Sequence, residues 1–285
     1  MFRLLNVAGR AALEVDDEWY DLARLSGDDS LADPMAAVAR TGQLHGLSDR
    51  CADVSPDGSV ADAVIGAPVP RPRQVFAIGV NYADHAAESG MTPPPSPLTF
   101  TKFPSAIAGP TADVPLTGDM VDWEVEIVVV IGSTCSYVPV DRAWEAVAGL
   151  TLGQDISDRR VQMAGTPPQF SLGKSFPGFA PIGPAMVSID SFADPMDIAL
   201  WCDIAGERMQ DSRSTNLIFA IPTLVAYLSS ICTLEPGDLI FTGTPEGVGM
   251  VRGRFLAVGD VIASGAEGIG ELSNTCVAGT GPLAL

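Results

Sequence analysis

Glu124 and Glu126 stand two residues apart in the run Val121-Asp122-Trp123-Glu124-Val125-Glu126-Ile127-Val128-Val129-Val130-Ile131-Gly132. The run is rich in β-branched residues and stops at a glycine, which predicts a strand. Side chains alternate faces along a strand, so both glutamates point one way and Trp123, Val125 and Ile127 the other. Two like charges side by side on an otherwise apolar strand repel each other and are costly to desolvate. A divalent cation removes both penalties, and hard carboxylate oxygens suit Mg²⁺, Mn²⁺ or Ca²⁺. The competing reading is a solvated edge strand that carries acids by chance.

A second pair suits proton transfer. In Gly79-Val80-Asn81-Tyr82-Ala83-Asp84-His85-Ala86-Ala87-Glu88, His85 and Glu88 are three apart. On a helical turn they share a face, where Glu88 can fix the imidazole and raise its basicity. The other histidine, His45, reads as structural or solvated. The chain has two lysines, Lys102 in Phe100-Thr101-Lys102-Phe103-Pro104-Ser105 and Lys174 in Gly173-Lys174-Ser175-Phe176-Pro177-Gly178. Arginine serves as nearly every other cation, so solubility gives no reason to keep these two. Lysine is a compact point charge with a tunable pKa that arginine cannot replace in a tight site. Leftover surface lysines are the alternative.

These residues need elements to hold them. Residues 1–70 alternate short apolar pieces, such as Phe2-Arg3-Leu4-Leu5, with acidic turns, and a helical stretch is expected near 34–43. The proline cluster Pro68-Val69-Pro70-Arg71-Pro72-Arg73 is extended and stiff, and marks the boundary between a small N-terminal α/β domain (1–70) and a catalytic domain (71–285). Beyond it lie short apolar strands separated by glycine and proline. Helices are expected at about 140–149 and 214–230, the latter with a second section starting at Pro222. The stretch from Gly237 to Gly249 is echoed from Gly259 to Gly270, each reading Gly-Asp, strand, Thr or Ser, then a glycine-rich turn. That pattern suggests paired strands rolling through a β architecture. Neither copy carries the Gly-Lys-Ser/Thr of a nucleotide-binding loop.

With 285 residues, 47% of them hydrophobic, the chain can bury a full core. Sixteen basic against 35 acidic residues leave a net charge of −19, which argues against nucleic acid or an anionic membrane as partner. An acidic substrate would then need local cations or a metal. No stretch is apolar enough for a transmembrane helix, and the N-terminus lacks the pattern of a secretory signal. Five scattered cysteines, at 51, 135, 202, 232 and 276, fit reduced thiols in a cytoplasmic protein.

Five elements in this order resemble the fumarylacetoacetate hydrolase family over about residues 74–275. They are Asn81-Tyr82-x-x-His85-x-x-Glu88, Glu124-x-Glu126, Asp155-Ile156-Ser157-Asp158-Arg159, Gly173-Lys174-Ser175 and Thr242-Gly243-Thr244-Pro245-x-Gly247-Val248-Gly249. The resemblance implies an α+β, mainly β fold, a mixed β-roll, assembled as a homodimer. It makes Glu124, Glu126 and Asp155 ligands of Mg²⁺ or Mn²⁺, His85 with Glu88 the base, and Lys174 the cation facing the substrate. Lys102, Gln162 and Thr244 become substrate or oxyanion contacts. Arg159 and Arg160 are expected to pair with the acidic surface. The implied reaction is C–C bond hydrolysis in a small 2,4-diketo (acylpyruvate-like) acid, from aromatic or sugar-acid catabolism. A decarboxylase or isomerase of an oxo-dioic acid could use the same site, and a non-catalytic binding protein could retain the fold.

Overall fold

The computed structural model describes residues 1–281. Its main sheet has twelve strands. The hydrogen-bonded order runs Gly58–Ser59, Glu18–Asp21, Arg10–Val15, Arg3–Val7, Ala180–Val187, Val147–Gln154, Val125–Ile131, Leu239–Phe241, Val75–Gly79, Leu98–Thr101. Ile65–Gly66 and Ile107–Ala108 attach beside this path. A second sheet orders Glu207–Arg213, Ala199–Ile204, Val261–Ala266, Gly270–Ala278 and Val114–Leu116. Most neighbours are antiparallel, but Leu239–Phe241 runs parallel to Val75–Gly79, and Val114–Leu116 parallel to Gly270–Ala278. The chain adopts the expected α+β, mainly β fold, and its sheets are mixed and open.

Val125–Ile131 lies in the middle of the main sheet, and all seven of its residues are buried. Burial on both faces explains its almost continuous apolar run. It also removes the reading of a solvated edge strand. Val129 faces Leu150 on one side and Ile240 on the other. Gly153 is needed beside it, because a Cβ there would come within 2.7 Å of Val128 and 2.8 Å of Phe241.

The acidic run is not one strand. Val121–Asp122 pairs with Ser157–Asp158, and the ladder resumes only at Val125. Two buried glutamines satisfy the backbone at the break: Glu124 N–H donates to Gln154 Oε1 and Val125 N–H to Gln210 Oε1, both at 3.0 Å. A buried N–H outside a ladder needs such a partner.

The helices differ from expectation. Helix 214–230 shrinks to Ile221–Ser229, with Pro222 in its first turn where the missing N–H costs nothing. The preceding residues are held by Asn81, whose carbonyl accepts from Ile218 N–H and whose Oδ1 accepts from Phe219 N–H. The expected helix at 140–149 is a 3-10 segment, Val140–Ala146, followed by strand Val147–Gln154, because pairing with Val125–Ile131 outweighs local preference. The stretch near 34–43 breaks at Arg40, whose φ of −130° leaves the helical region, giving helices Pro34–Val38 and Thr41–Arg50. The two echoed strands fall in different sheets and do not pair, although glycines 237, 243, 247, 259, 268 and 270 all take positive φ.

Arg3–Val7 pairs antiparallel with Ala180–Val187, so the strands of residues 1–70 extend the main sheet. Leu4, Leu13 and Leu22 share one apolar core with Val128 and Leu150. All five cysteines are free. Among the described residues no helix is long and apolar enough to cross a membrane.

Candidate active site

Glu124, Glu126 and Asp155 converge. One oxygen from each lies within 4.8 Å of the others, and all three side chains are buried. Their backbones come from the break before Val125–Ile131, from that strand itself, and from the residue after Val147–Gln154. Asp155 N–H donates to the Glu124 carbonyl at 2.8 Å, which locks the two chain segments together. Glu126 Oε2 accepts from Gly243 N–H at 2.7 Å.

Three buried cations surround the acids. Lys174 Nζ lies 2.7 Å from Glu124 Oε2 and 2.7 Å from Asp155 Oδ2. Lys102 Nζ lies 2.6 Å from Asp155 Oδ1 and also donates to the Lys174 carbonyl. Arg159 Nη2 bridges Asp122 Oδ2 and Glu124 Oε1, each at 2.7 Å, while its Nη1 donates to Gln162 Oε1 at 2.9 Å. Both lysines are thus buried and committed, not leftover surface charges.

Arg159 is the residue that sequence reasoning misplaces. Arg160 does pair with surface Asp119, at 2.5 Å, but Arg159 turns inward. The signal was there: Asp158 caps the turn Arg159–Gln162 by accepting from Val161 N–H, and residues three apart on such a turn share a face. Gly173 lets the Lys174 segment pack on that turn, since a Cβ would sit 2.7 Å from Gln162 N.

Four buried carboxylates (Asp122, Glu124, Glu126, Asp155) face three buried cations (Lys102, Lys174, Arg159), leaving one surplus negative charge. The penalty of that surplus falls on Glu126. Burial, then the charges of Asp155 and Glu124, raise its carboxyl well above the usual range. Burial also works against ionised Glu124, but Lys174 and Arg159 overcome it and hold that group at about 2. Burial pulls both lysines down. At Lys174 the Asp155 and Glu124 charges reverse the effect, whereas at Lys102 burial prevails.

The expected His85–Glu88 pair is formed. His85 and Glu88 lie on the helix Ala83–Glu88, with Nδ1 2.8 Å from Glu88 Oε1. Glu88 is anchored in turn by Gly247 N–H, 3.0 Å from each of its oxygens. The loop from Thr242 to Met250 therefore presents backbone donors to three acids: Gly243 to Glu126, Gly247 to Glu88, and Gly249 and Met250 to Asp122. Gly243 has φ +101° and a Cβ there would lie 2.7 Å from Asn81 Cβ. Gly247 has φ +102° and its Cβ would fall 2.0 Å from the Met209 carbonyl. Only glycine fits either place.

One cavity of about 360 Å³ is lined by His85, Glu88, Glu124, Arg159, Gln162, Lys174 and Thr244, together with an apolar wall. Lys102, Glu126 and Asp155 sit behind this lining. Thr244 reaches the cavity, but its hydroxyl already donates to the Val125 carbonyl at 2.9 Å and accepts from Gln210 at 2.8 Å.

The donor set fits a divalent cation. It consists of hard carboxylate oxygens within reach of one ion, with a surplus negative charge to neutralise. The Tyr82 hydroxyl is buried without a hydrogen-bond partner, and burial, with a smaller contribution from the Glu126 charge, keeps it protonated. A divalent ion would change the cluster from one negative charge to one positive, which favours an anionic ligand.

Known proteins resemble this chain in sequence and in fold. The chain is 43% identical over 215 residues to the mitochondrial oxaloacetate tautomerase FAHD2B of Bos taurus, covering 74% of this chain and 68% of that protein. It superposes on a crystal structure from Mycobacterium smegmatis with a TM-score of 0.89 and 46% identity, covering 97% of this chain and 99% of the other. Maleylpyruvate hydrolase from Sphingobium sp. SYK-6, solved with manganese(II) and pyruvate, gives 0.82 at 28% identity, covering 98% and 100%. The family model described as "Fumarylacetoacetate (FAA) hydrolase C-terminal" matches residues 74–277, the span that carries all of these side chains, and the chain therefore belongs to the fumarylacetoacetate hydrolase family.

Proposed function

We propose that the protein is a divalent-metal-dependent hydrolase that cleaves a C–C bond of a 2,4-diketo acid. Water adds to the distal carbonyl, the bond to the central carbon breaks, and a carboxylic acid and a 2-oxo acid are released. The observation that carries this reading is the His85–Glu88 pair at 2.8 Å, lining one cavity with Glu124, Lys174 and Arg159. Glu124, Glu126 and Asp155 would hold Mg²⁺ or Mn²⁺, which when bound supplies Lewis-acid polarisation of a 2-oxo carboxylate. His85 takes the proton from water, and Glu88 fixes the ring and stabilises its charged form. Arg159 and Lys174 offset the substrate carboxylate, and Gln162, oriented by Arg159, has its amide N–H groups left to donate.

Tautomerisation of oxaloacetate is the second reading, favoured by the 43% identity to the bovine enzyme. It needs only proton transfer at C3 by His85, without water addition. The two are separated by incubating Mn²⁺-loaded protein with acetylpyruvate and with oxaloacetate. Hydrolysis yields acetate and pyruvate from the first. Tautomerisation changes the enol absorbance of the second without a change in product mass, and decarboxylation would release CO₂. No acetate from acetylpyruvate or longer acylpyruvates would overturn the hydrolase reading. Free cysteines support a reducing, cytoplasmic setting, and the unpaired edge strand Leu98–Thr101 with exposed Leu98, Phe103 and Leu172 supports a homodimer.

A further inference from the structure

The cavity changes character away from the acids. Its remaining wall is built from Phe100, Met91, Met163, Phe170, Met250 and Val251. Phe100 and Phe170 meet edge to face with centroids 5.5 Å apart, and Lys174 Nζ lies 5.1 Å from the Phe100 ring centre. Phe100 therefore divides the charged end from the apolar end. Met91, Met163 and Met250 form the outer part, each 39–50% exposed. The lysine and arginine of the lining are Lys174 and Arg159, and both are already bonded to carboxylates of the cluster.

We infer that the apolar end is the binding site for an uncharged alkyl or aryl tail, so that the protein selects 2-oxo or 2,4-diketo monoacids over the corresponding dioic acids. This rests on the reading of the acid cluster as the seat of a 2-oxo carboxylate. A second carboxylate on the substrate would be partly stripped of water among thioethers and phenyl rings, with no free lysine or arginine of the lining to meet it, which is unfavourable. An alkyl or phenyl group removes that penalty and gains from leaving water. At about 30 Å³ per water-sized group, the cavity holds about twelve such groups, and a pyruvoyl head takes about half of them. The remainder fits a tail of about four to six carbons or one phenyl ring. Three methionines at the rim adapt to tail shape, so selection acts on polarity and size more than on branching.

The test uses the Mn²⁺-loaded full chain and non-hydrolysable probes. Calorimetry compares 2-oxobutanoate, 2-oxohexanoate and 2-oxooctanoate with 2-oxoglutarate and 2-oxoadipate. Affinity should rise by about fourfold per methylene until the tail outgrows the cavity. Each dioic acid should bind more than tenfold more weakly than the monoacid of similar length. Equal or tighter binding of the dioic acids, or no binding of any alkyl probe, overturns the inference. Met163→Arg and Met250→Arg each place a cation at the exposed rim and should reverse the preference. Unchanged preference in both variants also overturns it. Tail-length dependence without turnover of any acylpyruvate would defeat the hydrolase reading and leave this one standing.

Discussion

Lys174 is bonded to two of the three carboxylates that would hold a metal, so Lys174→Met should act on stability and metal affinity in opposite directions. Its ammonium is 2.7 Å from both Glu124 Oε2 and Asp155 Oδ2, and all three side chains are buried. Removing one cation from a buried ion network costs up to about 3–5 kcal/mol, because the surplus negative charge grows by one while Glu124 keeps only Arg159 and Asp155 only Lys102. At about 2–4 °C per kcal/mol for a chain of this size, the metal-free melting temperature should drop by up to roughly 6–20 °C. The same ammonium competes with a divalent ion for the same oxygens. The variant should therefore bind Mn²⁺ more tightly, and an ion at about 100 times its Kd returns about 2.7 kcal/mol of stability. Scanning calorimetry in chelator and in MnCl₂, with titration calorimetry of Mn²⁺, reads both effects. Meanwhile kcat/KM should collapse, and Lys174→Arg should not restore it, since a guanidinium cannot occupy a point-charge position. An unchanged metal-free melting temperature, or weaker Mn²⁺ binding in Lys174→Met, would refute this account.

Glu126→Gln should abolish Mn²⁺ binding in calorimetry; retained affinity would remove Glu126 from the ligand set. Without metal the same variant probes Glu126 as a titrating group. Its folded pKa is raised above the ordinary glutamate value of 4.5, so its contribution is full below that value and lost as pH rises through the raised one. The metal-free variant should gain stability relative to wild type as pH increases from about 4.5, and a constant difference in melting temperature across pH would contradict the assignment. His85→Ala should lower hydrolysis about 10²–10⁴-fold while Mn²⁺ affinity stays intact, and a parallel loss of metal binding would make His85 a ligand or a structural residue. Gly247→Ala forces a Cβ to within 2.0 Å of the Met209 carbonyl at φ +102°. It should cost about 1–3 kcal/mol in urea unfolding and lower kcat by disturbing Glu88, and wild-type behaviour would show that the loop adapts.

The parts of the site built from local spacing were legible. His85 and Glu88 needed only one helical turn, and the pairing of Glu124 with Glu126 needed only proximity along the chain. The β-rich architecture followed from apolar runs and glycine turns. What could not be read was tertiary competition for backbone groups. Gln154 and Gln210 interrupt the acidic strand from 30 and 85 residues away, and Asn81 holds the segment before Ile221 out of a helix. Arg159 was obscured because a charged residue beside Arg160 in an acidic protein reads as surface. The cue that separates the two is the Asp158-capped turn, which sets Arg159 and Gln162 on one face beside Asp122. The resemblance located Lys102 near the site but could not tell that Asp155 and the Lys174 carbonyl take two of its three donors.

The loop from Thr242 to Met250 supplies N–H groups to Glu126, Glu88 and Asp122, which belong to a central strand, a short helix and the strand Val121–Asp122. One stretch of backbone thus serves as a common datum for Glu126, for Glu88 beside His85 and for Asp122, which seats Arg159. Backbone donors carry no side chain to mutate, so this reference frame is insensitive to most substitutions within the loop, its glycines excepted. Walls of the cavity can then diverge while the distance between base and carboxylate cluster stays fixed. Substitution at Met91, Met163 or Phe170 then alters the cavity wall without touching the backbone that seats the acids.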